Sequence, residues 1–360
     1  MVMRKSLKIA SYIGVALVLA LATMIASFLM RGGAFRQIQS VSPGICWLVP
    51  TNHGSAEDIQ INRQTGIAYL SALDRRGLVA GNEVTGNILE IDLYSTNPKP
   101  TSALESVPEG FRPHGISLFH MQDGSERLFV INDWFGIEER VEIFDKPLNN
   151  KLFEHVETLS DPLITHPNDL VAVGPEKFYV ANDSGATNSL ERVLEMGFGI
   201  GLSPLIFFNG EDFSLVDSRL KSSGGINADL ISKRLYVGET MGNSIRVYDL
   251  DNNHGLSRFV RTITLDSGVD NIDIDVDGSL WIANITNTLA LVRHFTDEDS
   301  PAPIQVQKVV VHEESDSEIQ TVLENNGNDF SAASVAARLG EMIIIGSITE
   351  PAVMLCELDT

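Results

Sequence analysis

Glu57-Asp58, Asn168-Asp169 and Asp270-Asn271 each stand immediately before an apolar run, and Asn227 occupies a similar place in GGINADLISKRLYVGET. Asn and Asp are poor strand formers and common in turns, so one instance needs nothing more than a turn ahead of a strand. Repetition changes the reading, because it places hard oxygen donors at the starts of several strands. Glu57, Asn168, Asn227, Asp270 and Asn271 offer carboxylate and carboxamide oxygens with no clustered Cys or His. Such a set suits Ca²⁺, which accepts about six to eight oxygens, and disfavours zinc. Asp58 and Asp169 directly follow two of these residues, so strand alternation turns them the opposite way, toward a second, deeper calcium.

Those residues need a scaffold that brings distant segments to one point. Short β-type runs dominate the chain after its N-terminal segment, among them GIAYLSA, RLFVIND, KFYVAND, RLYVGET, SLWIAN and MIIIGS, separated by Asn, Asp, Gly and Pro. Glu57, His114, Asn168, Asn227, Asp270 and Ser331 mark intervals of 57, 54, 59, 43 and 61 residues. Hairpins such as RLYVGET-MGN-SIRVYDLD look like the outer part of a propeller blade. The expected fold is all-β, a six-bladed β-propeller over residues 37–360, in which starts of inner strands converge on the central channel. A pair of β-sandwiches is the alternative, but no low-complexity linker divides the chain. Helical pieces are expected at Ser189 to Met196 and around Ser317 to Leu323.

Composition bounds the partners. The formal charge is −22 over 360 residues, and the clustered Lys and Arg that a nucleic-acid partner requires are missing. Ile9 to Met30 is uncharged, predominantly apolar and long enough to cross a bilayer as a helix, with Arg4, Lys5 and Lys8 before it. Residues 1–36 therefore read as a cytoplasmic tail and retained signal anchor, with the rest on the far side of the membrane. A secreted or periplasmic protein is the alternative. Cys46 and Cys356 are the two cysteines, near the ends of the exported part. An oxidising compartment favours a disulfide between them, which on the chain-entropy model contributes roughly 5–6 kcal/mol, less any strain.

The motifs GSAEDIQI, RPHGISLF, HPNDLVAVGPEKFYVAND, GGINADLISKRLYVGE, VDNIDIDVDGSLWIAN and MLCEL, running from about Cys46 to Leu358, closely resemble the serum paraoxonase/arylesterase family. The resemblance implies a six-bladed propeller with one catalytic and one structural calcium, a terminal disulfide and a retained hydrophobic N-terminus. It also implies calcium-dependent hydrolysis of lactones, aryl esters and, in some members, organophosphates. Carried over by motif, Glu57, Asn168, Asn227, Asp270 and Asn271 hold the catalytic ion, and Asp58, Asp169 and the carbonyl of Ile116 hold the structural one. His114, in RPHGIS, matches the family's proposed catalytic histidine. Where the family supplies a second histidine, this chain reads Asn132-Asp133-Trp134, so Asp133 is the candidate to orient His114. Asn284 takes the place of a free cysteine found in some members.

The expected function is a calcium-dependent lactonase and arylesterase, with a channel calcium polarising the carbonyl and His114 accepting a proton from water. The rivals are a non-catalytic, membrane-tethered propeller acting as a binding or assembly factor, and a propeller like strictosidine synthase or sugar lactonases. No Gly-x-Ser-x-Gly elbow is present, which disfavours a serine hydrolase. Asn182-Asp-Ser184 and Asn284-Ile-Thr286 are glycosylation sequons, the second expected to be the better acceptor. HEESDSE, residues 312–318, is expected to be a solvated loop. The sequence leaves acyl-chain preference and oligomeric state open.

Overall fold

In a computed structural model of the chain, which describes residues 2–133, 139–312 and 315–359, six four-stranded antiparallel sheets follow one another in sequence. Their inner strands are Ser55–Asn62, Pro113–His120, Pro167–Gly174, Ser223–Asp229, Gly268–Ile274 and Ala333–Leu339. Each packs on the next and the last packs on the first, closing the ring of a six-bladed propeller.

The inner and second strands of the blades are buried on both faces, which is why their sequences read as continuous apolar runs instead of alternating ones. In Lys177–Asn182, Phe178 and Val180 join the core shared with the second blade, while Tyr179 and Ala181 join the core shared with the fourth. Strand alternation therefore feeds two interfaces from one strand. Six apolar clusters result, one between each pair of consecutive blades. The sixth blade takes its outermost strand, Gly44–Pro50, from the start of the propeller, and Cys46 is paired in register with Cys356 and disulfide-bonded to it.

Among the described residues four helices accompany the sheets: α1 (Val2–Arg31), α2 (Arg75–Val79), α3 (Ser189–Phe198) and α4 (Thr288–Thr296). Within α1, Ser11–Arg31 has a mean hydropathy of 2.5 and is long and apolar enough to cross a membrane. Its end meets α3, where Arg31 Nη2 donates to the carbonyls of Met196 and Gly197 at 2.9 Å each. The helix expected at Ser189 is present, capped by Asn188 at its start and by Gly199 in the left-handed conformation.

Two expectations are corrected. Residues around Ser317 to Leu323 form not a helix but a strand, Glu318–Asn325, because blade five needs an outer strand to pair with Ile304–Val310 and this tertiary demand outweighs local propensity. It also shortens the expected loop at 312–318, of which Glu313 and Glu314 lie outside the described residues. The sixth blade's inner strand begins at Ala333, past the marker Ser331, so Ser334 is the residue at the level of the other strand starts. α2 and α4 were not expected. The second had a legible start signal, Asn287, whose side chain accepts from Ala290 N.

Candidate functional site

All six inner strands carry a ladder irregularity at the same level. Pairing with the neighbouring strand breaks between Ala56 and Ile59, Pro113 and Ile116, Pro167 and Asp169, Ser223 and Ile226, Val269 and Ile272, and Ala333 and Val335. A bulge frees residues from the ladder and re-aims their side chains. The residues released are Glu57-Asp58, His114-Gly115, Asn168, Gly224-Gly225, Asp270-Asn271 and Ser334. These bulges, together with Asn227 just beyond the fourth, bring the candidate residues to one mouth of the channel.

Glycines let the strands approach there. A Cβ on Gly115 would lie 2.5 Å from both Cα and Oδ1 of Asp169, and one on Gly225 would lie 2.5 Å from the carbonyl oxygen of Asp270. The glycines in RPHGIS and GGIN thus serve close packing around the cage, and nothing larger fits.

The contacts tie blades together. Asn271 Nδ2 donates to Glu57 Oε1 at 2.9 Å and to the Glu57 carbonyl at 3.1 Å, and Ser334 Oγ donates to the same carbonyl at 2.6 Å. Asn227 Nδ2 donates to the Ile272 carbonyl at 2.8 Å, while its Oδ1 accepts from Ala228 N. Asp58 accepts from Ile59 N and, across to the second blade, from Ile116 N, each at 2.7 Å. Asp169 repeats this pattern with Leu170 N at 2.7 Å and Ile226 N at 2.8 Å.

Four buried oxygens at the mouth have no hydrogen-bond partner: Glu57 Oε2, Asn168 Oδ1, Asp270 Oδ2 and Asn271 Oδ1. Unpaired buried acceptors are costly, and a set of oxygen acceptors left unpartnered on the strand starts of three blades fits a hard cation. Among the described residues no group of three or more His, Cys, Asp or Glu side chains has metal-binding spacing, so any cage here draws on carboxamides as well. Electrostatics agree with the fit. Burial, then the Glu57 charge, pushes the Asp58 carboxyl up to about 8, and Asp270 is raised well above its ordinary value by the same two causes. Asp169 is raised by burial and then by Asp58. A divalent cation bound among these carboxyls would relieve the burial and repulsion that raise them.

His114 stands beside this cluster. Its Nε2 lies 3.7 Å from Glu57 Oε2 and its Nδ1 lies 3.7 Å from Asp133 Oδ2, both beyond hydrogen-bonding distance. Trp134 lies outside the described residues. An apolar cavity of about 440 Å³ opens onto His114 and Asp133, walled by Leu73, Leu78 and Val79 on the α2 side and by Val292 and Phe295 of α4. A larger cleft of about 1010 Å³, lined by His53, Asp74, Arg76 and Glu350 among others, touches none of the candidate residues.

The sequon residues fall elsewhere. Ser184 donates to the Glu195 carboxylate and is fully buried. Neither sequon presents its carboxamide to solvent. Asn182 is buried and accepts from Thr165 N and His166 N, and Asn284, the expected better acceptor, is buried against Gln307. Both end up inside a blade because each lies in its second strand. Arg75 and Ser334 were missed. Arg75 had no sequence signal, while Ser334 was one blade period from the other strand starts.

Comparison with known proteins agrees with this architecture. The Arylesterase family model matches residues 37–358. Serum paraoxonase/arylesterase 2 of Gallus gallus is 28% identical over 357 residues, covering 97% of this chain and 98% of that protein. Serum paraoxonase/lactonase 3 of Homo sapiens is 30% identical over 345 residues, covering 93% and 95%. Among solved structures, the calcium-binding protein regucalcin of Agrobacterium tumefaciens superposes with a TM-score of 0.52 at 11% identity, over 89% of this chain and 96% of that one, a likeness of fold alone. The chain belongs to the arylesterase family.

Proposed function

We propose that this member of the arylesterase family is a calcium-dependent hydrolase of lactones and aryl esters, working at the channel mouth where His114 adjoins the oxygen cage. The family relatives, named for arylesterase and lactonase activities, support an ester- and lactone-hydrolysing enzyme. One observation carries the calcium reading: four unpartnered buried oxygens on the strand starts of three blades, one of which, Glu57 Oε2, lies 3.7 Å from His114 Nε2.

In this reading Glu57, Asn168, Asn227, Asp270 and Asn271 hold a catalytic calcium. When bound, that ion would polarise the substrate carbonyl and offset the charge that develops on its oxygen. The chain does the remaining work. Asn271 fixes Glu57 through its Nδ2, turning Glu57 Oε2 inward. The aliphatic walls of the 440 Å³ cavity take the hydrocarbon part of the substrate and exclude bulk water. His114 accepts the proton of the attacking water at Nε2, while Asp133, on its Nδ1 side, favours that tautomer. Asp58, Asp169 and the Ile116 carbonyl are assigned to a second, structural calcium. Both carboxylates already brace neighbouring blades through backbone N–H groups, so that ion would reinforce a joint that exists without it.

The N-terminal segment, residues 1–36, is assigned as a retained anchor that keeps the propeller at a membrane on the exported side. The substrate is a small lactone or ester. The decisive experiment assays full-length protein in detergent against phenyl acetate and a panel of aliphatic and aromatic lactones, with and without chelator. Turnover that is lost on chelation, restored by calcium and abolished in Asn168→Ala and Asp270→Ala supports the proposal. Bound calcium with no turnover of any member favours a tethered binding protein instead, a reading the absent second histidine would suit.

A further inference from the structure

Arg75 lines the cavity beside His114 and Asp133, and the reading above leaves it without a role. Its Nη1 donates to the carbonyl and Oγ of Ser55 at 3.3 and 3.2 Å, and its Nη2 donates to the Pro113 carbonyl at 3.0 Å. Ser55 stands two residues before Glu57, and Pro113 stands one before His114. The guanidinium therefore joins the ligand-bearing strand of the first blade to the histidine-bearing strand of the second.

Its hydrogen-bond partners are neutral. The charges it faces act through space, Glu57 most strongly, followed by Asp133, Asp270 and Asp58. No described carboxylate bonds to it directly. An arginine keeps its proton even when buried, so a permanent cation sits against a cage shaped for another cation. In a partly buried site salt screens such an interaction little.

We propose that Arg75 is a positioning residue and internal counter-charge, which stabilises the ion-free mouth by offsetting repulsion between Glu57 and Asp270 and weakens calcium binding by repelling the incoming ion. The inference rests on the calcium reading of the proposed function. It yields two effects of opposite sign from one substitution. A residue that merely clamped two strands would lose stability and calcium affinity together when removed.

The test compares full-length wild type, Arg75→Gln and Ser55→Ala by calorimetric calcium titration after chelator stripping, and by thermal melting in chelator. Arg75→Gln is expected to bind calcium about tenfold more tightly, equivalent to ~1.4 kcal/mol, while melting at a lower temperature without the ion. Ser55→Ala, which removes one acceptor and leaves the charge, is expected to keep wild-type affinity within about threefold, less than ~0.7 kcal/mol. Equal or weaker calcium binding by Arg75→Gln overturns the inference. Should that variant not accumulate, Arg75→His carries a charge that pH removes, and its affinity relative to wild type should rise between pH 6 and 8; a constant ratio overturns the inference as well. Wild type that binds no calcium sinks the calcium reading and this inference together, whereas binding that Arg75→Gln leaves unchanged sinks only the inference.

Discussion

Asn271 and Glu57, 214 positions apart in the chain, are joined by a 2.9 Å hydrogen bond from the carboxamide Nδ2 to the carboxylate Oε1. The bond leaves Asn271 Oδ1 and Glu57 Oε2 buried and unpartnered, so each residue orients the other while keeping an oxygen free. Asn271→Ala removes one ligand and the brace on another. Calcium affinity, measured by titration calorimetry, is expected to fall by at least about 10- to 100-fold. A change of less than threefold would count against Asn271 as a ligand.

Raised carboxyls make the ion-free protein sensitive to pH in a defined direction. Asp58, Asp169 and Asp270 are held above their ordinary values, Asp58 up to about 8, by burial and then by neighbouring carboxylates. Between an unfolded carboxyl value near 4 and the raised folded values, the folded state binds more protons than the unfolded one. Their contribution is therefore fully present below about pH 4 and lost as pH rises toward about 8. In chelator the melting temperature should fall across that window, and the stabilisation conferred by calcium should grow across it. A calcium effect independent of pH would contradict this.

His114→Gln is expected to lower kcat on phenyl acetate by about 10²- to 10⁴-fold, the range for loss of a general base. Asp133→Asn should cost less, about tenfold, because its 3.7 Å separation from His114 is that of a charge partner and not of a formed hydrogen bond. Steady-state kinetics with calcium saturating separates the two. An Asp133→Asn loss as large as that of His114→Gln would make the pair a true dyad.

Gly115→Ala tests the packing of the cage. The added methyl would sit 2.5 Å from Asp169 Cα, where backbone must move. A loss of about 1–3 kcal/mol is expected from overpacking, read by denaturant unfolding with calcium present. Wild-type stability would mean that the two inner strands can separate there freely.

Replacing Cys46 and Cys356 together by Ser should cost roughly 2–5 kcal/mol, since their bond fastens the outermost strand of the sixth blade to its neighbour. Thermal melting of the double variant against wild type in the same buffer measures it.

The sequence alone determined the repeating frame. Apolar runs of strand length, turn residues between them and polar markers at blade-sized intervals specified six blades, and the polar residues ahead of those runs could be named as cage candidates from their order along the chain. What lay beyond local pattern was decided by the tertiary structure. Glu318–Asn325 became a strand because a blade lacked its outer edge, and both sequon asparagines were buried by the blades on either side. Which oxygens remain unpartnered depends on contacts such as Asn271 with Glu57, and the cation at Arg75 is held by carbonyls of two different blades. Periodicity is written along the chain, whereas hydrogen-bond satisfaction and charge proximity exist only once the ring has closed.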